Sequence, residues 1–426
     1  MLPKGILISC FTVLLSLSNV ATAQTSGFAP FSQETILYSF SGGNDGGVPY
    51  AGMASDPSGN LYGTTNQGGT AQFGTVFKLT QSQNGWQETV LYSFAGSPDG
   101  EAPGSGTLVI DRAGHIFGTT TGGGVYGFGT VFELIPGADN TWVEQVLYSF
   151  RGSVSSDGLS PWGSIVFDGA GNLYGATKLG GPATSTCPAG CGTVFELTPS
   201  GSGWTETVLY SFKGGTDGAG VYGGVILNKQ GNSLFGTTSE GGTSGSHGTV
   251  FQLASNNGIW KEAPIYRFRG SRDGGNPYSG LVSDSAGNIY GTTFYGGTKG
   301  YGTVFELTHS QTGWKENVLH SFTAQKDGGF PYYGTLLVDK AGNLYGTTSV
   351  GGGMADGVAY ELSLSGSGKW IETVLYSFSG EDGWEPDAGL TFDAAGNLYG
   401  TTSGGGGLGS CSDDLDGCGV AFKLTP

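Results

Sequence analysis

Seven aspartates recur in one phrase, Asp-Gly-x-x-Pro-aromatic: Asp45, Asp99, Asp157, Asp217, Asp273, Asp327 and Asp382. Four residues on stands Pro in six copies and Val221 in the other. Five residues on stand Tyr50, Gly104, Trp162, Tyr222, Tyr278, Tyr332 and Asp387. A sugar ring offers an apolar face that stacks on an aromatic ring and hydroxyls that hydrogen-bond to carboxylates. The candidate ligand-binding set is therefore Tyr50, Trp162, Tyr222, Tyr278 and Tyr332 with Asp45, Asp157, Asp217, Asp273 and Asp327. The plainer reading is packing, because a residue type repeated in nearly every unit is what a regular core requires. An Asp in such a turn ordinarily accepts hydrogen bonds from its own backbone. One carboxylate per turn also falls short of the six to eight oxygens that calcium needs. We expect no metal and no cofactor.

Catalytic constellations are weakly supported. His115, His247, His309 and His320 do not cluster, and no nucleophile–base spacing is readable. Residues 122–127 spell G-x-G-x-x-G but lie between two strand-like runs and open no helix, so a dinucleotide site fails its context. A glycan-cleaving site would need two carboxylates brought together from different units.

These residues need a scaffold, and the rest of the chain supplies a repetitive one. Gly-Asn-Leu-Tyr-Gly-Thr-Thr, at residues 59–65, returns in variant form six more times. Gly-Thr-Val-Phe, at 74–77, and Leu-Tyr-Ser-Phe, at 37–40, do the same. The last phrase recurs at intervals of 54 to 62 residues, the longest holding an insertion with Cys187 and Cys191. Each unit holds four strand-like runs rich in Val, Ile, Thr, Tyr and Phe. In the second unit these are a (106–111), b (115–120), c (130–135) and d (144–150). The a–b connection, Asp-x-x-Gly-Asn, predicts a type I turn closed by a left-handed Gly. The Gly inside strand b predicts a close approach by an aromatic ring of the neighbouring sheet, such as the Phe of strand c. Six tryptophans just before strand d are expected to pack the c–d hairpins at the rim.

Seven four-stranded antiparallel units with no helix signal predict an all-β, seven-bladed β-propeller over residues 34–426. The chain begins with an unpaired d run at residues 34–40 and ends with an unpaired c run at 419–425. Pairing them closes the ring and removes two bare sheet edges, with Ile36, Tyr38 and Phe40 as the expected buried residues.

The phrases Asn-Leu-Tyr-Gly-Thr-Thr and Gly-Thr-Val-Phe-Lys/Glu-Leu-Thr resemble the Gloeo/Verruco tandem repeat of exported bacterial proteins, over nearly the whole chain. That resemblance implies an exported bacterial repeat protein of choice-of-anchor type and carries no catalytic residues to transfer. The Asp-x-x-Gly-Asn-Leu-Tyr hairpin more loosely resembles the inner hairpin of NHL-type propellers, which puts strand a innermost and the d–a and b–c loops on one face.

Glycine at 84 of 426 residues and charged residues at 12% suit a turn-rich β fold. A net charge of −17 repels nucleic acid and anionic membrane. Residues 1–23 read as an export signal: Lys4, an apolar run, then Ala21-Thr22-Ala23 as the cleavage site. Residues 24–33 form a short lead. Cys10 lies within the apolar run, and the other four cysteines form two close pairs, predicting Cys187–Cys191 and Cys411–Cys418 disulfides. The expected function is a non-catalytic extracellular propeller, monomeric and without a membrane span. Its ligand would be a glycan or an extracellular protein on the d–a/b–c face. A secreted polysaccharide-acting enzyme using cross-blade carboxylates, and an adhesive surface component, are the alternatives.

Overall fold

The polypeptide closes into a ring of seven antiparallel sheets in a computed structural model that describes residues 33–426 apart from 202, 244, 410 and 412–416. The export signal, Cys10 and the lead as far as residue 32 lie outside the described residues. Blade 1 shows the plan: strand a Ala54–Ser55, b Leu61–Thr65, c Thr75–Ser82 and d Gly85–Ser93, each paired with the next. Blade 7 takes a, b and c from the C-terminal end of the chain (Thr391–Phe392, Leu398–Thr402, Val420–Thr425) and d from Gln33–Ser39. The closing pair is antiparallel, from Gln33 opposite Thr425 to Ser39 opposite Val420.

One expectation about this seam needs correction, and so does one about strand a. Ile36 is 39% exposed, whereas Leu37 and Phe40 are buried. A β-bulge between Ile36 and Tyr38 adds one residue to the outer strand and reverses its inside–outside alternation. The same bulge recurs in every c–d pair, for example between Val76 and Phe77. Strand a is also shorter than predicted: in blade 2 only Val109–Ile110 is paired. The inner strands converge on the axis, where neighbouring backbones touch. A Cβ on Gly106 would lie 2.5 Å from the Gly163 carbonyl oxygen, so backbone contact between blades replaces further strand pairing there.

The core lies between blades. The Phe ending strand d packs edge-on against the strand c aromatic of the next blade: Phe40–Phe77 at 5.0 Å, Phe94–Phe132 at 5.1 Å, and so to Phe378–Phe422 at 5.0 Å. Glycine in strand b makes this possible. Gly63 stands directly opposite Phe77, and a Cβ there would sit 2.5 Å from the ring. The ring thus belongs to the cross-strand partner in the same blade, not to a neighbouring sheet. The tryptophans also reach further than expected. Trp86 meets Tyr399, Trp260 meets Tyr174 and Trp314 meets Phe235, each on strand b of the preceding blade. A large ring on an outer hairpin buries more surface across the blade boundary than within its own hairpin.

The a–b turns form as predicted. Gly59 has φ +81°, its N–H donates to Asp56, and Asp56 Oδ1 accepts from Ser58 and Asn60 backbone N–H groups. Both predicted disulfides are present, with Cα separations of 5.2 Å. Among the described residues no helix is long and apolar enough to cross a membrane.

Candidate functional site

The d–a and b–c loops emerge together, joined by short bridges such as Gly47–Gln67 and Gly275–Tyr295. The third residue after each recurring Asp has positive φ: Val48, Ala102, Ser160, Gly220, Asn276, Phe330 and Glu385. Its N–H bonds to the loop before strand c of the preceding blade, as Val48 does to Cys418 and Phe330 to Tyr301. In six of the seven units this left-handed step is followed by a Pro whose ring lies against the Gly opening that blade's strand c.

The predicted aromatics meet at the channel mouth. Tyr222 and Tyr278 rings are 5.0 Å apart, Tyr278 and Tyr332 5.2 Å, Trp162 and Tyr222 6.1 Å. The organising ring is one that sequence reasoning missed. Tyr333 stacks on Tyr332 at 3.8 Å and contacts Tyr50 at 5.9 Å, Trp162 at 5.7 Å and Tyr222 at 6.4 Å. Other units carry Ala, Ser or Gly at that position (Ala51, Ser105, Gly163, Gly223, Ser279, Ala388), so a lone bulky residue was the available signal. From Tyr332 the rings continue outward through Phe294, Phe330 and Tyr295, which is 48% exposed. The result is a continuous aromatic track over blades 1 and 3 to 6.

Polar groups along it are few and unlike one another. Lys178 Nζ lies 4.8 Å from the Tyr222 ring centre and 5.5 Å from that of Trp162. The Trp162 indole N–H is buried without a partner. Asp387, where other blades place an aromatic, is 4% exposed and accepts a 2.6 Å hydrogen bond from Ser349. Burial pushes its carboxyl up to about 7, with the Ser349 bond pulling down and Glu385 pushing up. Burial likewise raises Tyr50 and Tyr278 to about 12. Beside Tyr222 and Lys178, a cavity of about 230 Å³ is walled by Glu240 and the Cys187–Cys191 loop.

The recurring aspartates sit elsewhere on this face. Asp45 accepts from Tyr38 at 3.0 Å, Asp157 from Tyr148 at 2.8 Å, Asp217 from Tyr210 at 2.7 Å and Asp273 from Tyr266 at 3.0 Å. Asp327 faces His320, which replaces the Tyr, at 3.4 Å. Each also accepts a backbone N–H of its own turn, as from Ser41 to Asp45 and Thr323 to Asp327. These carboxylates therefore fasten the d–a turn to strand d, the outermost strand. They do not join the aromatic track. Among the described residues no group of three or more His, Cys, Asp or Glu side chains is arranged to hold a metal.

The ring is similar to solved propellers. One is a putative 6-phosphogluconolactonase from Bacteroides uniformis, 14% identical, over 88% of this chain and 99% of that one, with a TM-score of 0.53. Another is an ulvan lyase of polysaccharide lyase family PL25 bound to -[GlcA(1-4)Rha3S]-, 11% identical, over 91% and 95%, with a TM-score of 0.50. At these identities the likeness speaks to the fold alone. No curated protein resembles the chain in sequence. The Gloeobacter/Verrucomicrobia repeat matches residues 24–187 and 180–412. Its recurring phrases are the ones that build each blade here, and the chain belongs to that repeat family.

Proposed function

We propose that this is an exported, monomeric propeller that binds a glycan along the aromatic track of the d–a/b–c face. The observation that carries the reading is Tyr333. It breaks the repeat at a position where every other unit is small, and it joins the rings of four blades into one surface. A packing role alone would be served by the small residue used elsewhere. Stacking on such a surface suits the apolar faces of successive sugar rings. The Lys178 ammonium offers hydrogen-bond donors beside it. The putative 6-phosphogluconolactonase and the ulvan lyase that share the fold agree with this reading. The two disulfides support an oxidising compartment, and cleavage near Ala23 is expected to leave the propeller as the mature chain. N-terminal sequencing of the secreted protein checks that.

The test is a glycan array with the mature protein, followed by Tyr333→Ala and Trp162→Ala. Loss of at least about tenfold in affinity for the retained glycan, with folding intact, is expected for both, since tenfold is only about 1.4 kcal/mol. Binding unaffected by either change would defeat the reading.

One observation favours the alternative of a secreted polysaccharide-acting enzyme. Asp387 is a buried acid at the same mouth, held near neutrality in its proton affinity, as a general acid must be. Release of reducing ends or unsaturated products from the bound glycan, abolished by Asp387→Asn, would establish it. Unchanged glycan after prolonged incubation would leave the binding role.

A further inference from the structure

On the opposite face, where the a–b turns emerge, each blade boundary holds the same pair of positions: the strand b aromatic of one blade and the last residue of strand a in the next. The two compensate for each other. Tyr62 packs in one cluster with Ile110, Tyr174 with Leu227, Tyr290 with Val338 and Tyr345 with Phe392, the last pair with ring centres 5.0 Å apart. Phe117 lacks the hydroxyl, and Phe167 fills the space with ring centres 5.0 Å apart. Ser55 is small, and there Tyr399 keeps its hydroxyl, bonded to Asp393 at 3.0 Å; the groove left is about 140 Å³. Only the boundary between blades 4 and 5 combines the deficits, Phe235 with Ser283, and there a cavity of about 370 Å³ opens.

The charge pattern breaks at the same place. The strand c residue beside the strand b aromatic is charged in six blades: Lys78, Glu133, Glu196, Glu306, Glu361 and Lys423. Tyr174 donates to Glu196 at 2.7 Å, and Tyr290 to Glu306 at 3.1 Å. Blade 4 carries neutral Gln252, whose amide N–H donates to Ser233 at 3.2 Å and whose side chain lines the cavity. Trp314 lies across the groove, 5.8 Å from Phe235 and 5.0 Å from His309. A regular fold has no need of three coordinated departures at one boundary. We propose that this groove is a second binding site, for a neutral sugar residue. Its C–H face would stack on Trp314, and its hydroxyls would meet Gln252, Ser283 and His309. Two charged residues also line the groove, but both are already engaged: Lys229 Nζ donates to the Ser285 carbonyl at 2.9 Å, and Asp284 accepts from Asn288 and Tyr290. The uncharged groups are the ones left for a neutral ligand, and the volume lies in the range of small-ligand pockets.

The site is independent of the aromatic track, so each can fail alone. Methyl glycosides of glucose, galactose, mannose and N-acetylglucosamine, with glucuronate and glucosamine as charged comparators, are titrated onto the mature protein by saturation-transfer NMR. At least one neutral glycoside is expected to bind. Ser283→Phe, which copies the filled boundary of blades 2 and 3, should weaken that binding at least about tenfold while melting at or above the wild-type temperature. If that variant misfolds, Phe235→Tyr with Gln252→Glu restores the common pattern and should do the same. Tyr126→Ala, which removes an exposed ring of a b–c loop outside the aromatic track, should leave it unchanged. Binding that survives the filled groove, equal binding of the charged sugars, or none by any neutral glycoside would overturn the proposal.

Discussion

The outer blade boundaries and the channel mouth are built from the same seven repeats yet follow opposite rules. At the outer boundary every blade contributes the same groups. A Glu of strand d, the Asp of the preceding blade's d–a turn and that blade's Tyr or His come together: Glu88 with Asp45, Glu144 with Asp99, Glu206 with Asp157, Glu262 with Asp217, Glu316 with Asp273, Glu372 with Asp327 and Glu34 with Asp382. In all seven the Glu Oε1 is buried without a partner. At the mouth the equivalent positions carry Tyr, Gly, Trp or Asp, and Tyr333 stands alone. Uniformity is what closure of a ring demands, since each boundary must fit its neighbours. Individuality suits the proposed ligand, which would meet five blades at once.

The comparison breaks most visibly if closure is removed. Deleting residues 32–40 takes away the outer strand of blade 7 together with buried Leu37 and Phe40. Two such side chains are worth roughly 3–6 kcal/mol, and a bare strand edge is exposed besides. A sharply lowered melting temperature and association on size exclusion are expected. A monomer melting like the intact chain would mean that the seam is not what holds the ring.

Acidity should act on the outer boundary as a whole. Burial, then the neighbouring Asp, pushes each of the seven Glu carboxyls from 4.5 up to about 7, with nearby Arg151, Arg267 and Arg269 pulling Glu206, Glu262 and Glu316 down in part. Between these values the folded chain binds more protons than the unfolded one, so stability falls as pH rises from 4.5 toward 7 and levels off above. Below the ordinary Asp range the sign reverses. Asp56, Asp168, Asp284 and Asp393 are raised by burial but lowered further by their turn hydrogen bonds, and their contribution is lost as pH drops through their depressed values. The side chains are only half-buried, so solvent screening reduces each share. A melting temperature on the order of 5 °C higher at pH 5 than at pH 7.5 is expected. A flat profile over that span would refute the coupled boundary.

Glu88→Gln sharpens the same point at one boundary. It should raise the melting temperature slightly at pH 7.5, change little at pH 4.5, and reduce the slope by about one seventh. The smallest effect belongs to the loops. Reducing Cys187–Cys191 and Cys411–Cys418 opens short loops, worth no more than about 2–2.5 kcal/mol each. Glycan affinity should respond more to loss of the first bridge, which walls the cavity beside Tyr222, than to loss of the second.

The repeat made most of this architecture readable. Period, glycine placement and turn residues are local, and their physics is local: a left-handed Gly closes the a–b turn, and a Gly opposite Phe77 leaves room for a ring. Complementary orphan strands announced closure because bare edges must pair. The site was readable only in outline. Tyr50, Trp162, Tyr222, Tyr278 and Tyr332 were found because they share a position in the repeat; Tyr333, Lys178 and Phe294 were not, because each is unusual within its own unit.

The sequence by itself determined the number of blades, the strand order within each and the cysteine pairing, since all follow from spacing and local backbone preference. Tertiary structure alone decided which residues face one another across blade boundaries. The bulge in strand d turned Leu37 inward and Ile36 outward, and the ring brought Glu88 to Asp45 and Tyr333 to Tyr50. Residues far apart in the chain become neighbours only when seven sheets share one axis, and no local preference encodes that distance.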